Sequence, residues 1–444
     1  QKTAYEISLG LVGSEMCIRD RYGTRKSLPP LPIGGRNTFF NPGSAALYLY
    51  DPNAGVRREP RTEDLARFCA LVELLDSIHM QSTALVARDV PEPLYDRWRL
   101  LAVVLNSSKP VVTGVFTVEG LLDMVKMLEI VRGGREELLK RPCAIFDVCP
   151  SPPLRWSYLT SQNLMDCARL RIPAEIIPMP APGATSPATL HAALIQHHAE
   201  FLSGLVIAHC AGERVPVVYG GSPGTFDMRY GLMAIAGIEA LLLDCAYAEM
   251  GKYLGLPTHA YMAISDSKEV DYQAGLETGI GALLAVLARI NVVSGPGMME
   301  EESVQGLEKL LIDAEACALA LRFGEGISIG PETSALDVIK RVGHRARFLW
   351  EKHTIEWYRK EFYIPSEVLD RFPRSKWERE GRPSILDRAS ERVEELLKDF
   401  ELPPLEEDLE RELVEFAIDM LRKYGASERE ALRLVERAKY RTEA

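Results

Sequence analysis

No apolar run in this chain approaches the ~18 residues that a membrane-crossing helix requires. A basic excess is also missing. The formal charge of -11 leaves no positive face to meet phosphates, which argues against a nucleic-acid binder. Eight cysteines are scattered without a C-x-x-C pair or a metal-like Cys/His spacing, as expected of reduced thiols in a cytoplasmic protein. His197 and His198 are adjacent within a helical stretch, so they point to different faces and do not share a metal. There is no Ser-His-Asp order, no H-E-x-x-H and no P-loop. No G-x-G-x-x-G follows the first predicted strand, which lowers the dinucleotide-binding alternative.

What is present is a globular composition, 47% hydrophobic and 26% charged, with material for a large core. Residues 1–21 stand apart. They begin with Gln1, end in SLGLVGSEMCIRDR, resemble translated sequencing-adaptor sequence, and are expected to add nothing to the fold. Residues 22–81 read as an extension. Aromatic runs at 38–40 and 46–50 flank an Asn41-Pro42-Gly43 turn as a β-hairpin, and a helix starts at Thr62.

From residue 82 to 345 short apolar runs alternate with helical stretches. The runs lie at 83–87, 111–116, 143–148, 174–177, 215–219, 258–264, 291–293 and 327–329. Their spacing, roughly 27 to 42 residues, is that of β-plus-α units in a parallel sheet, and eight of them predict a (β/α)8 TIM barrel, an α/β fold. Helix starts are expected at Ser186-Pro187 and, as a capping box, at Ser334 with Asp337. Residues 346–444 read as a basic, aromatic wrapping segment followed by helices. Leu413, Phe416, Ala417, Met420 and Leu421 make an amphipathic face that must dock on the barrel or a partner.

In such a barrel the chemistry sits at the carboxyl ends of the strands. That places Phe116, Asp147, the 178–185 loop with Gly183 and Thr185, the 215–231 stretch, Ser265 and Asp266, the 295–298 loop and Glu332 at one rim. The stretch VPVVYGGSPGTFDMRYG is the densest. A buried strand ends at Tyr219 and Gly220, and a loop carries Phe226, Asp227, Arg229 and Tyr230 toward a small-residue helix. Asp227 capping that helix with Arg229 as its solvated neighbour is the plain alternative.

MPAPGATSPATLHAALIQHHAEFLSGLVIAHCAGERVPVVYGGSPGTFDMRYG, followed by SDSKEVDYQAGLETG, resembles the trimethylamine methyltransferase family from about residue 30 to the end. The resemblance implies a (β/α)8 protein that passes a methyl group from a methylated amine to the cobalt of a separate corrinoid protein. Cobalamin is then supplied by that partner, and no cofactor or metal is bound by this chain itself. Trimethylamine enzymes carry pyrrolysine. This chain shows only standard residues, which favours the branch that resembles glycine betaine-type demethylases.

A quaternary ammonium donates no hydrogen bond, so it is held by aromatic faces and carboxylates. Phe116, Tyr219, Phe226, Tyr230 and Tyr261 are then the implied cage, and Asp147, Asp227 and Glu277 the counter-charges. Arg229 or the Ser186 helix start would meet a substrate carboxylate. Asp227, Arg229 and Glu277 are the implied catalytic set, and Gly183, Thr185, Gly220, Ser265, Asp266 and Gln273 line the pocket. SPA replaces the more usual GPV after GAT, and Arg289-Ile290 stands where the family tends to have small residues. A homo-oligomer is expected. Two other readings stay open: a different barrel enzyme such as a lyase, with Gly295-Pro296-Gly297 as a phosphate loop, and a non-catalytic amine-binding relative.

Overall fold

Apolar residues facing helices and a mixed set facing inward shape the eight parallel strands at the centre. In the computed structural model, which describes residues 20–25, 29–212, 215–345 and 347–442, they are β1 (Phe39–Asn41), β2 (Gln81–Ser82), β3 (Val111–Gly114), β4 (Ala144–Val148), β5 (Ala174–Ile176), β6 (Val217–Tyr219), β7 (His259–Tyr261) and β8 (Val292–Ser294). β2 to β6 form one parallel sheet, and β7, β8 and β1 a second. Two seams close the ring. Tyr219 bridges Thr258 in parallel, and Phe40 O accepts from His79 N at 2.9 Å and Met80 N at 3.1 Å.

Each strand is followed by an outer helix: α1 (Thr62–Leu74), α2 (Tyr95–Asn106), α3 (Val118–Arg132), α4 (Tyr158–Leu170), α5 (Leu190–Ala211), α6 (Ile238–Tyr253), α7 (Tyr272–Leu287) and α8 (Leu307–Glu325). The fold is the expected (β/α)8 barrel, with the strand count right and both ends displaced. β1 comes from the segment read as a hairpin. Phe39–Asn41 pairs with β8, while Tyr48–Asp51 makes its hairpin with Val56–Arg58 instead. The apolar run at 327–329 forms no strand, and Ile327 and Ile329 lie exposed. α5 starts at Leu190 after Thr189, three residues beyond Pro187, and Ala335, not Ser334, precedes the Leu336–Val342 helix.

Inside the ring, Met80, Val112, Ile145, Val218 and Val292 form a dry floor with Ile33 beneath. Outward residues such as Phe40, Phe146, Ile176 and Val293 join the main core against the helices. Of the adaptor-like segment, residues 1–19 lie outside the described residues. Asp20–Arg21 pairs antiparallel with Leu31–Pro32, and Arg21 is buried, so these two residues belong to the folded body. The C-terminal helices dock as expected. Leu413, Ala417, Met420 and Leu421 of Glu407–Lys423 are buried, and that helix packs on α3. Ile385–Lys398 lies on α1 and α8, and Glu428–Arg437 on α1.

α7 approaches the ring so closely that a Cβ on Gly281 would stand 1.8 Å from Met262 O. Gly281→Ala is therefore expected to destabilise by about 3 kcal/mol, at the upper end of overpacking costs. Gly279→Ala on the same helix meets no atom within 4 Å and should be neutral or slightly stabilising. Urea unfolding midpoints of the two variants check this, and equal midpoints would contradict the close packing of α7.

Candidate active site

Alternation along the strands puts polar side chains above the apolar floor. Asp147 on β4 is register partner to Gly114 on one side and Glu175 on the other, and Glu175 in turn faces Val218. Neighbouring strands lie ~4.8 Å apart, so two carboxyls stand side by side. Glu175 is fully buried, and among the described residues no group donates a hydrogen bond to either of its oxygens. Burial raises both acids, Asp147 to about 6 and Glu175 well above the usual carboxylate range. Burial and mutual repulsion therefore leave one proton on the pair, held by Glu175.

A hydrogen-bonded chain fixes the opposite wall. His259 Nε2 lies 2.9 Å from Ser294 Oγ, and Ser294 donates to Asn41 Oδ1 at 3.0 Å. This pattern assigns the proton of His259 to Nε2. Among the described residues its Nδ1 has no hydrogen-bond partner, and it faces Gly220, where a Cβ would sit 3.4 Å away. Burial lowers His259 to about 3, so the ring is neutral. Glu175 Oε1 is 3.6 Å from Nε2, too far for a hydrogen bond. Tyr261 stands edge-on to His259 with ring centres 5.2 Å apart, and burial, with the Asp147 and Glu302 carboxyls nearby, raises its hydroxyl.

The mouth opens past Phe116, which is 40% exposed and backed by the Arg99 guanidinium at 4.3 Å. Arg99 itself is fully buried and donates to Thr83 O at 2.7 Å, Gly114 O at 3.0 Å and Tyr95 O at 3.3 Å. Above Asp147 comes the turn between Met298–Met299 and Val304–Gln305. Glu300, Glu301 and Glu302 there have φ of 48°, 50° and 69°. Three consecutive left-handed L-residues cost ~1–2 kcal/mol each, and strain of this kind collects at functional sites. Partners hold the turn in place: Arg57 on Glu300, Lys268 on Glu301 at 3.1 Å, and Ser222 Oγ on Glu302 at 3.2 Å. Glu302 is raised to about 7, first by burial, with Asp147 and Asp266 adding repulsion.

The residues expected from sequence divide into three groups. Asp147, Tyr261 and Phe116 converge on the barrel mouth. Ser265, Asp266, Glu277 and Gln273 form a bracket beside it. Glu277 accepts from Ser265 Oγ at 2.6 Å, Asp266 N at 2.9 Å and Gln273 Nε2 at 3.0 Å, while Asp266 accepts from Ile235 N and Ala236 N. The remaining ones lie elsewhere. Gly183, with φ of 90°, and Thr185, whose Oγ1 accepts from Ala181 N, build an outer turn. Tyr219 points outward, stacks on Phe201 at 3.9 Å and bonds His198 Nδ1 at 2.7 Å. Gly220 lets its backbone meet Ile176 O at 3.0 Å.

Phe226, Asp227 and Arg229 belong to a hairpin, Thr225–Asp227 with Leu232–Ala234, where a helix start was expected. Asp227 and Arg229 pair with each other at its tip at 2.5 Å, with the Arg229 side chain 79% exposed and Tyr230 exposed beside it. Glu332 sits on the short Pro331–Ser334 helix. Glu175, His259, Ser294, Asn41 and Glu302 were not foreseen. Their signal was a single polar residue at an inward position of an otherwise apolar strand, together with a run of three glutamates in a two-strand turn. Among the described residues, no group of three or more His, Cys, Asp or Glu side chains is arranged to hold a metal ion, and no helix is long and apolar enough to cross a membrane.

Comparison with known proteins matches this architecture. The chain is 28% identical over 386 residues to a glycine betaine methyltransferase of Desulfitobacterium hafniense, covering 86% of this chain and 80% of that one. It is 31% identical over 360 residues to a trimethylamine methyltransferase of Methanosarcina thermophila, covering 79% and 73%. The Methanosarcina barkeri monomethylamine methyltransferase superposes with a TM-score of 0.50 at 12% identity, over 88% and 80% of the two chains, which supports the fold. Residues 22–424 match the model of the family described as trimethylamine methyltransferase, and the chain belongs to that family.

Proposed function

We propose that this chain moves a methyl group from a methylated amine to the cobalt of a cognate corrinoid protein. The observation that carries the proposal is the barrel mouth itself, where Asp147, Glu175 and Glu302 meet beside Tyr261 and Phe116. A quaternary ammonium donates no hydrogen bond, so nearby negative charge and aromatic surface are what can hold it. Its methyl carbon is already electrophilic, and the partner's reduced cobalt supplies the nucleophile. The chain's share is alignment and exclusion of water. Asp147 anchors the cationic nitrogen, the Tyr261 ring closes one side, and the Ser294–His259 chain fixes the wall. The Glu277 bracket holds the Ser265–Asp266 backbone at the rim. Phe116 lies at the open end, which the corrinoid protein has to face. A betaine-like amine, the finer reading that one relative's name suggests, would also need a cationic partner for its carboxylate.

The test mixes this chain, its cognate corrinoid protein in the reduced state and a panel of methylated amines, and follows the corrinoid absorbance. Methyl transfer from at least one amine is expected. Silence across trimethylamine, glycine betaine, proline betaine, carnitine and choline would favour a non-catalytic amine binder.

A further inference from the structure

Among the described residues, five cations around the mouth are already engaged by groups of this chain. Arg99 is fully buried on backbone carbonyls. Lys309, 1% exposed, is held by Asp313 and by Thr278 Oγ1 at 2.8 Å. Arg57, Lys268 and Arg229 are each bound by a carboxylate of this chain, Glu300, Glu301 and Asp227. Against these stand Asp147 and Glu302 at the opening, with the buried Glu175 behind, to which no described residue donates a hydrogen bond. The left-handed turn that presents Glu302 is held in place at three points, so the side chain is not a loose surface acid.

We infer that Glu302 sets substrate choice: with Asp147 it admits an ammonium group that has no carboxylate and rejects betaines. The inference rests on the methyl-transfer reading of this site and names its substrate class. A betaine's carboxylate lies only a few atoms from its nitrogen. With the nitrogen at Asp147, that carboxylate would come near Glu302, while the cations named above are already engaged. Rejection by an unpaired like charge is a common route to specificity.

The experiment compares choline with glycine betaine, in binding by calorimetry on the full chain alone and in methyl transfer with the corrinoid protein. Choline is expected to be preferred by at least about 100-fold in both. Glu302→Gln should narrow the ratio to within about tenfold by strengthening betaine and weakening choline, and Glu302→Asp should keep the preference. Thermal melts of both variants confirm that they fold.

Tighter binding of betaine than choline by the unaltered chain would overturn the inference. So would a ratio that Glu302→Gln leaves unchanged, or binding of neither compound. Selective choline binding without methyl transfer would sustain the inference and defeat the methyl-transfer reading alone.

Discussion

Asp147→Asn is expected to lower kcat/KM for a quaternary ammonium substrate about a hundredfold while making the free protein more stable above pH 6. The two effects have one cause. Asp147 stands beside Glu175 in a site where burial already opposes its charge. A bound cation relieves that penalty, so the carboxylate contributes most when the ligand is present. A charge-assisted contact in such a site is worth ~2–3 kcal/mol, which gives the hundredfold.

Without ligand the sign reverses. The folded-state pKa, about 6, is raised above the ordinary 3.8. The folded protein thus holds the proton more tightly than the unfolded chain, so the stability cost builds up between about pH 4 and pH 6 and is constant above. Asparagine removes that cost, for a gain of about 1 kcal/mol or more at pH 8 that should vanish below about pH 4. Substrate kinetics and urea unfolding at pH 8 and pH 4 measure both halves. A variant that loses activity and stability together would mean that Asp147 is structural.

The strand rhythm made the barrel legible, because eight apolar runs at βα spacing have few other solutions. Its ends were less legible. Asn41-Pro42-Gly43 is a strong turn signal, and it does turn the chain, but out of a ring strand and not within a hairpin. The run at 327–329 is apolar and yet exposed, so composition alone could not tell a ring strand from a surface segment.

The same limit governed the site. Asp147 was visible because it ends an apolar run, whereas Glu175 and His259 lie inside runs that were read only as apolar. In a barrel the two faces of a strand differ, one toward helices and one toward the interior. Tyr219 shows the converse. Its place at a strand end suggested a cage, but parity sends it outward onto Phe201 and His198. Asp227 and Arg229 were singled out for their density, and the hairpin directs that pair into solvent.

For choline, whose charge does not titrate, log kcat/KM plotted against pH is expected to rise with a slope near two below pH 6. The slope should fall to one between pH 6 and 7 and flatten above. Asp147 ionises at about 6 and Glu302 at about 7, and a cation favours the ionised form of each. The surrounding groups leave that window to these two. Glu175 holds its proton well above the usual range, Tyr261 and Cys149 are raised by burial, His259 is neutral with its pKa near 3, and Arg99 stays charged at about 10. Asp266 also lies at about 6, but its oxygens accept from Ile235 N and Ala236 N beside the mouth. Its titration should therefore act on the rim more than on the cation. Glu302→Gln should erase the limb between pH 6 and 7 and leave a single ionisation near 6. Asp147→Asn should instead leave one near 7. The corrinoid protein is kept saturating and its own pH response is subtracted with a second, unrelated methyl donor protein. A profile unchanged by either substitution would remove both acids from the cation site.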